Sequence, residues 1–76
     1  MPKSSKQIIK NLGWKIQKLR KETKTSQEKF ADKLGISRVY MGYIEQGRER
    51  PSLKLLIKIA GKFGVEITDL FDHRNQ

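Results

Sequence analysis

Gly35 and Ser37 stand two residues apart between two helix-forming stretches, and this spacing constrains the fold more than any other feature of the chain. Phe30, Ala31 and Leu34 give the first stretch one apolar face. Gly35 supplies the left-handed backbone position that ends a helix. Ser37 is placed to accept a backbone N–H at the start of the next one. Only Gly35-Ile36 joins the two helices, so they must cross steeply with their backbones close together. That geometry calls for a small residue in the first helix, a glycine in the turn and aliphatic side chains behind the second helix. Ala31, Gly35, Ile36 and Ile44 meet these needs. The arrangement reads as a helix-turn-helix, with an ordinary αα-corner as its structural alternative.

The rest of the chain is also helical in pattern. Ile9, Leu12, Ile16 and Leu19 follow i, i+3, i+7, i+10 spacing and predict a helix over about Lys6 to Glu22. Gly13 lies inside it and is expected to weaken it by ~1 kcal/mol relative to alanine. Thr25-Ser26-Gln27-Glu28 reads as a capping box that opens the second helix at Thr25. The third helix runs from Ser37 to about Gln46 and stops at Gly47. After the basic loop Arg48-Glu49-Arg50-Pro51, Ser52 caps a fourth helix reaching about Lys62. Gly64 breaks the chain, and Glu66 to Phe71 form a short fifth helix. No strand-like alternation, repeat or linker interrupts this order. The reading is a single all-α domain over residues 1–76, a compact bundle of five helices. It has a basic extension at 1–11, a core over 12–71 and a tail at 72–76, with His73-Arg74-Asn75-Gln76 frayed.

The net charge of +9 is unevenly distributed. Residues 1–24 hold eight Lys/Arg against Glu22 alone, giving +7, and residues 48–54 add +2, while the other segments balance. A basic chain attracts polyanions, but charge alone does not choose among DNA, RNA and an anionic membrane. Catalysis finds no support: there is one histidine, no cysteine, no nucleophile–base set and no phosphate-cradling glycine loop. Asp69, Asp72 and His73 read as a solvated helix end rather than a metal site, and no cofactor or small-molecule ligand is expected. No apolar run approaches the ~20 residues of a membrane span. The N-terminal MPKSSKQ lacks the hydrophobic stretch of a signal peptide. The expected location is cytoplasmic, with no membrane partner.

An α-helix turns about 100° per residue, so Met41 and Ile44 set the inward direction of the third helix, with Ser37 on the inner side. Val39, Tyr43 and Gln46 then point outward, Gly42 lies beside them, and Arg38 and Tyr40 flank the set. One cation, two aromatics, an amide and an aliphatic group suit the major groove of double-stranded DNA. Arg38 is able to donate two hydrogen bonds to guanine, Gln46 to reach a base or phosphate, and Val39 to touch a thymine methyl. A protein interface is the competing use of the same face.

The stretch SQEKFADKLGISRVYMGYIEQGRERPSLKLLIKIAGKFGVEITDLF resembles the lambda-repressor-like DNA-binding domains of the Xre/Cro type. Its marks are Gln27, Ala31, Gly35-Ile36-Ser37, Ile44-Glu45, Gly47, Pro51-Ser52 and GVEITDLF, covering about Leu19 to Phe71. SRVYMGYIE is also similar to the controller proteins of restriction–modification systems. The resemblance implies that Ser37, Arg38, Val39 and Tyr43 face bases. It implies that Tyr40, Gln46, Arg48 and Arg50 hold the DNA backbone, and that Gln27 bonds a phosphate while bracing the recognition helix. Val39 and Gly42 stand where many relatives carry polar side chains, and the extension before Leu12 lies outside the shared motif.

The resemblance further implies a partly buried ion pair between Arg20 and Glu45. Physical reasoning agrees, because a carboxylate so near a core needs a partner. Helix four carries apolar residues over an arc of about 200°, wider than the ~100° stripe of a surface helix. A central position explains part of this surplus. The remainder suits a two-fold homodimer interface at Leu55, Ile59, Ile67 and Phe71, which would set two recognition helices one DNA turn apart on a palindromic operator. These features point to a sequence-specific transcriptional regulator without an effector domain. Two other readings compete: an antitoxin that neutralises a partner toxin and autoregulates its operon, and a basic RNA or membrane-surface binder using Lys3 to Lys24.

Overall fold

The computed structural model describes residues 4–72. Four α-helices follow one another: α1 (Ser5–Glu22), α2 (Gln27–Leu34), α3 (Arg38–Glu45) and α4 (Leu53–Phe63). A 3-10 helix (Ile67–Phe71) ends the described chain, and no strand occurs among the described residues. The tail His73-Arg74-Asn75-Gln76 lies outside the described residues.

Serine hydroxyls start every α-helix. Ser4, Ser26, Ser37 and Ser52 each sit in extended backbone and accept the N–H three residues on, from Gln7, Lys29, Tyr40 and Leu55. The cap of α2 is therefore Ser26, not the Thr25 expected from the sequence. Thr25 is held instead by the end of α1, where its carbonyl accepts from Arg20 Nη1 at 2.8 Å. The short fifth helix expected over Glu66 to Phe71 is a five-residue 3-10 helix, which leaves four α-helices among the described residues. A piece this short gains little from i to i+4 bonding. Reciprocal capping between Glu66 and Asp69 closes its first turn.

The turn between α2 and α3 takes the form its residues dictate. Gly35 adopts φ +74°, and the Ile36 N–H donates to the Ala31 carbonyl at 3.0 Å. Lys58 of α4 adds a cap from outside the turn, its Nζ donating to the Leu34 carbonyl at 3.0 Å. A lysine at a helix C-terminus satisfies a free carbonyl and complements the helix dipole.

Leu12, Ile16, Phe30, Ala31, Leu34, Met41, Ile44, Leu56, Ile59, Ala60 and Leu70 form one core drawn from every element. Phe30 stacks on Phe63 with ring centroids 4.6 Å apart, tying α2 to α4. Ile59 is 0% exposed within the monomer, so it has no surface to offer a second chain. That corrects its expected place in a dimer interface. The wide apolar arc of α4 serves the core there.

Gly13 also acquires a different meaning. A Cβ at this position would lie 2.3 Å from the Ile44 carbonyl oxygen and 2.7 Å from that of Glu45. Only a glycine lets the middle of α1 press against the end of α3. The local loss of helix propensity is the condition for docking α3 in place.

Candidate nucleic-acid interface

α3 buries Met41, Gly42, Ile44 and Glu45 and leaves Ser37, Arg38 and Val39 exposed at its N-terminal end. Val39 is a large apolar residue left 52% exposed. Gly42, expected beside the outward set, is instead buried beneath the Gln27 amide, 3.8 Å from where its Cβ would stand. Tyr43 is half-buried, and the Arg48 guanidinium lies over its ring, 4.5 Å from the centroid. Tyr40 is also half-buried and joins Leu34, Ile36 and Leu55 along a shallow groove toward α4. Gln46, Arg48 and Arg50 are exposed just past the helix.

A chain of side chains connects this surface to the core. Arg20 clamps Glu45 with two hydrogen bonds, Nε to Oε2 at 2.6 Å and Nη2 to Oε1 at 3.0 Å. Glu45 Oε1 also accepts from Gln27 Nε2 at 3.0 Å. Gln27 Oε1 in turn accepts from Arg38 Nη1 at 3.1 Å. The order is set by chemistry. An ionised carboxylate only accepts, so Gln27 must turn its NH₂ toward Glu45, which leaves its oxygen for the guanidinium. The Glu45 side chain is wholly buried and that of Arg20 nearly so. No buried side-chain nitrogen or oxygen among the described residues lacks a partner.

The network brings together α1, the start of α2 and both ends of α3. Arg20 and Glu45 staple α1 to α3, while Gln27 carries their fixed geometry outward to Arg38. One guanidinium N–H of Arg38 is thereby engaged, and its other donors remain for a ligand. Ser37 likewise accepts the Tyr40 N–H but keeps its own O–H as a donor. Among the described residues no group of three His, Cys, Asp or Glu could hold a metal ion. No helix there is long and apolar enough to cross a membrane.

Residues 16–70 match the model of the helix-turn-helix family. The chain belongs to the helix-turn-helix family. It is 43% identical over 60 residues to the control protein C.MunI of Mycoplasma sp, a match covering 78% of this chain and 81% of that protein. Its fold is similar to the restriction–modification controller protein C.AhdI from Aeromonas hydrophila. The TM-score is 0.78 and the identity 32%, over 83% of this chain and 96% of that one. It is also similar to the biofilm master regulator SinR in its crystal structure in complex with DNA, with a TM-score of 0.74 and 31% identity over 80% of this chain and 98% of that one.

Two contacts at this helix-turn-helix surface escape a reading along the sequence. Gly47 has φ +75°, and a Cβ there would lie 2.8 Å from the Lys10 Cα, so the loop after α3 is pressed onto the second turn of α1. Arg48 reaches back over Tyr43 because the chain reverses at Gly47. A glycine directly after a helix signals that reversal but not what the loop rests on.

Proposed function

We propose that this DNA-binding transcriptional regulator acts as a homodimer that reads a palindromic operator. In this reading Ser37, Arg38, Val39 and Tyr43 meet base edges, and Gln27, Tyr40, Gln46, Arg48 and Arg50 hold the backbone. The observation that carries it is the tether from Arg20 through Glu45 and Gln27 to Arg38. A guanidinium oriented from the core, beside an exposed valine, combines a bidentate donor for guanine with an apolar contact for a thymine methyl. Likeness to the control protein C.MunI and the restriction–modification controller protein C.AhdI supports a role in controlling a restriction–modification system.

Dimerisation draws support from the exposed apolar residues. Leu53 and Ile57 are 67% and 57% exposed and lie one helical turn apart on α4, and Phe71 is exposed on the 3-10 helix. Leu55 and Ile67 are half-buried and contribute chiefly to the core margin. An isologous pairing through these residues would set two α3 helices on successive major grooves.

The experiment selects bound sites from a random duplex pool, then compares the selected duplex with random duplex, RNA and anionic vesicles. An operator-reading protein retains a preference of ~10³ or more for its site. Equal affinity for every polyanion, falling in parallel with salt, would overturn the reading.

A further inference from the structure

The first turns of α1 precede the family match at residues 16–70, and the reading above gives them no role. They are nonetheless built into the molecule. Gly47 fixes the loop after α3 against Lys10, where any side chain would collide with the Lys10 backbone. The contact creates a groove of about 450 Å³ between the start of α1 and that loop, lined by Ser5, Lys6, Arg48, Glu49 and Arg50. Ile9 and Gly47 complete the lining, so three of its seven residues are cations and one is an acid. The first turn of α1 carries no acidic residue. Lys6, Arg48 and Arg50 are all exposed, and among the described residues none of them forms an ion pair.

The groove adjoins the reading surface. Arg48 lines it and also lies over the Tyr43 ring on α3, so one side chain borders both. A duplex whose bases face α3 brings its phosphate strand along the loop and toward Lys6. Along one strand phosphates follow at about 3.4 Å of duplex axis, so a cationic groove beside the recognition helix meets a continuous anionic rail.

We propose that this groove extends the backbone contact of Arg48 and Arg50 onto α1, with Lys6 as a further phosphate-binding residue that holds the DNA backbone flanking the bases read by α3. The site rests on the operator reading for its position beside α3. Its charge chemistry applies to any duplex. Glu49 opposes it, and removing that carboxylate strengthens it.

The test measures duplex affinity as a function of salt for the wild type, Lys6→Ala, Arg50→Ala and Glu49→Gln, using the selected operator and a random duplex. Each lost phosphate contact lowers the slope of log affinity against log salt by about 0.9. Between about 50 and 200 mM salt the affinity of such a variant then falls about 3.5-fold less than that of the wild type. Lys6→Ala is expected to show this change on both duplexes, with an unaltered ratio between them. Glu49→Gln is expected to bind both more tightly. All three residues are exposed, so unchanged melting is expected and excludes a folding artefact. A Lys6→Ala slope equal to the wild type on both duplexes overturns the groove and leaves the operator reading intact. If the wild type prefers no site, the operator reading fails, while the slope on random duplex still decides the groove.

Discussion

Replacing Glu45 with alanine strikes a buried charge that joins the fold to the candidate interface. The substitution removes both hydrogen bonds to Arg20 and the one from Gln27. Arg20 keeps only its bond to the Thr25 carbonyl while its side chain stays almost wholly buried. Breaking a buried pair from one side costs about 3–5 kcal/mol, because an uncompensated charge remains in the interior. A domain of this length has a total stability of roughly 4–11 kcal/mol at ~0.05–0.15 kcal/mol per residue. A loss of 3 kcal/mol at about 4–8 °C per kcal/mol lowers the melting temperature by roughly 12–24 °C. The assay is thermal and urea unfolding followed by far-ultraviolet circular dichroism. A double-mutant cycle with Arg20→Ala should recover part of the loss, since removing both partners leaves no orphaned charge. A Glu45→Ala protein within 1 kcal/mol of the wild type would refute the account of the pair as the staple between α1 and α3.

Gly13→Ala should destabilise the fold by about 1–3 kcal/mol through overpacking against the α3 carbonyls, despite a gain of ~1 kcal/mol in helix propensity. A urea midpoint equal to or above the wild type would reject that close approach. Arg38→Ala should cost about 1–3 kcal/mol in operator binding and relax selection at a single base pair. An equal loss on every sequence would make Arg38 a phosphate contact. Ile57→Glu should leave the monomer's stability within about 0.5 kcal/mol while abolishing self-association, as read by sedimentation. A wild type that remains monomeric at high concentration would remove the dimer.

Where the sequence was legible, residue types had a single conformational meaning. Gly35 followed at two residues by Ser37 admits few structures, and the turn takes the expected form. The rotation of α3 was equally readable for Met41, Ile44 and Val39, because the first two fix its inward direction and leave Val39 on the opposite side. Thr25 and Ser26 are adjacent hydroxyls with similar capping power. The choice between them is made by Arg20, which holds the Thr25 carbonyl from another helix. Gly13 looks the same whether it weakens a helix or admits a neighbour, and only the position of α3 separates the two. Ile59 and Ile57 belong to the same apolar arc on α4. The packing of Phe63, Leu70 and the other helices puts one in the core and leaves the other in water. At the candidate site, periodicity read the exposure of Val39 and Gln46 but misplaced Ser37, which is exposed rather than inward, and Gly42, which is buried. The links between the side chains depend on where α1 and α2 bring Arg20 and Gln27.

Those links couple stability to recognition in one direction. Glu45 cannot release Arg20 without exposing a charge to the interior, and its second acceptor position holds Gln27 by the same electrostatic demand. Gln27 has only one oxygen, already turned outward, so its orientation follows from that of the buried carboxylate. The Arg38 guanidinium is therefore partly ordered before any ligand arrives. Immobilising a long side chain at an interface otherwise costs about 0.5–1.5 kcal/mol. The reading face contributes little in return to the fold, since Val39 and Arg38 lie on its surface and bury no core area. On the proposed operator reading, substitutions at Arg38 and Val39 alter which bases are preferred while the fold stays intact. Substitutions at Arg20 or Glu45 disturb both. A fold with this asymmetry is able to acquire new sequence preferences through two or three surface residues, while the carboxylate beneath them stays fixed.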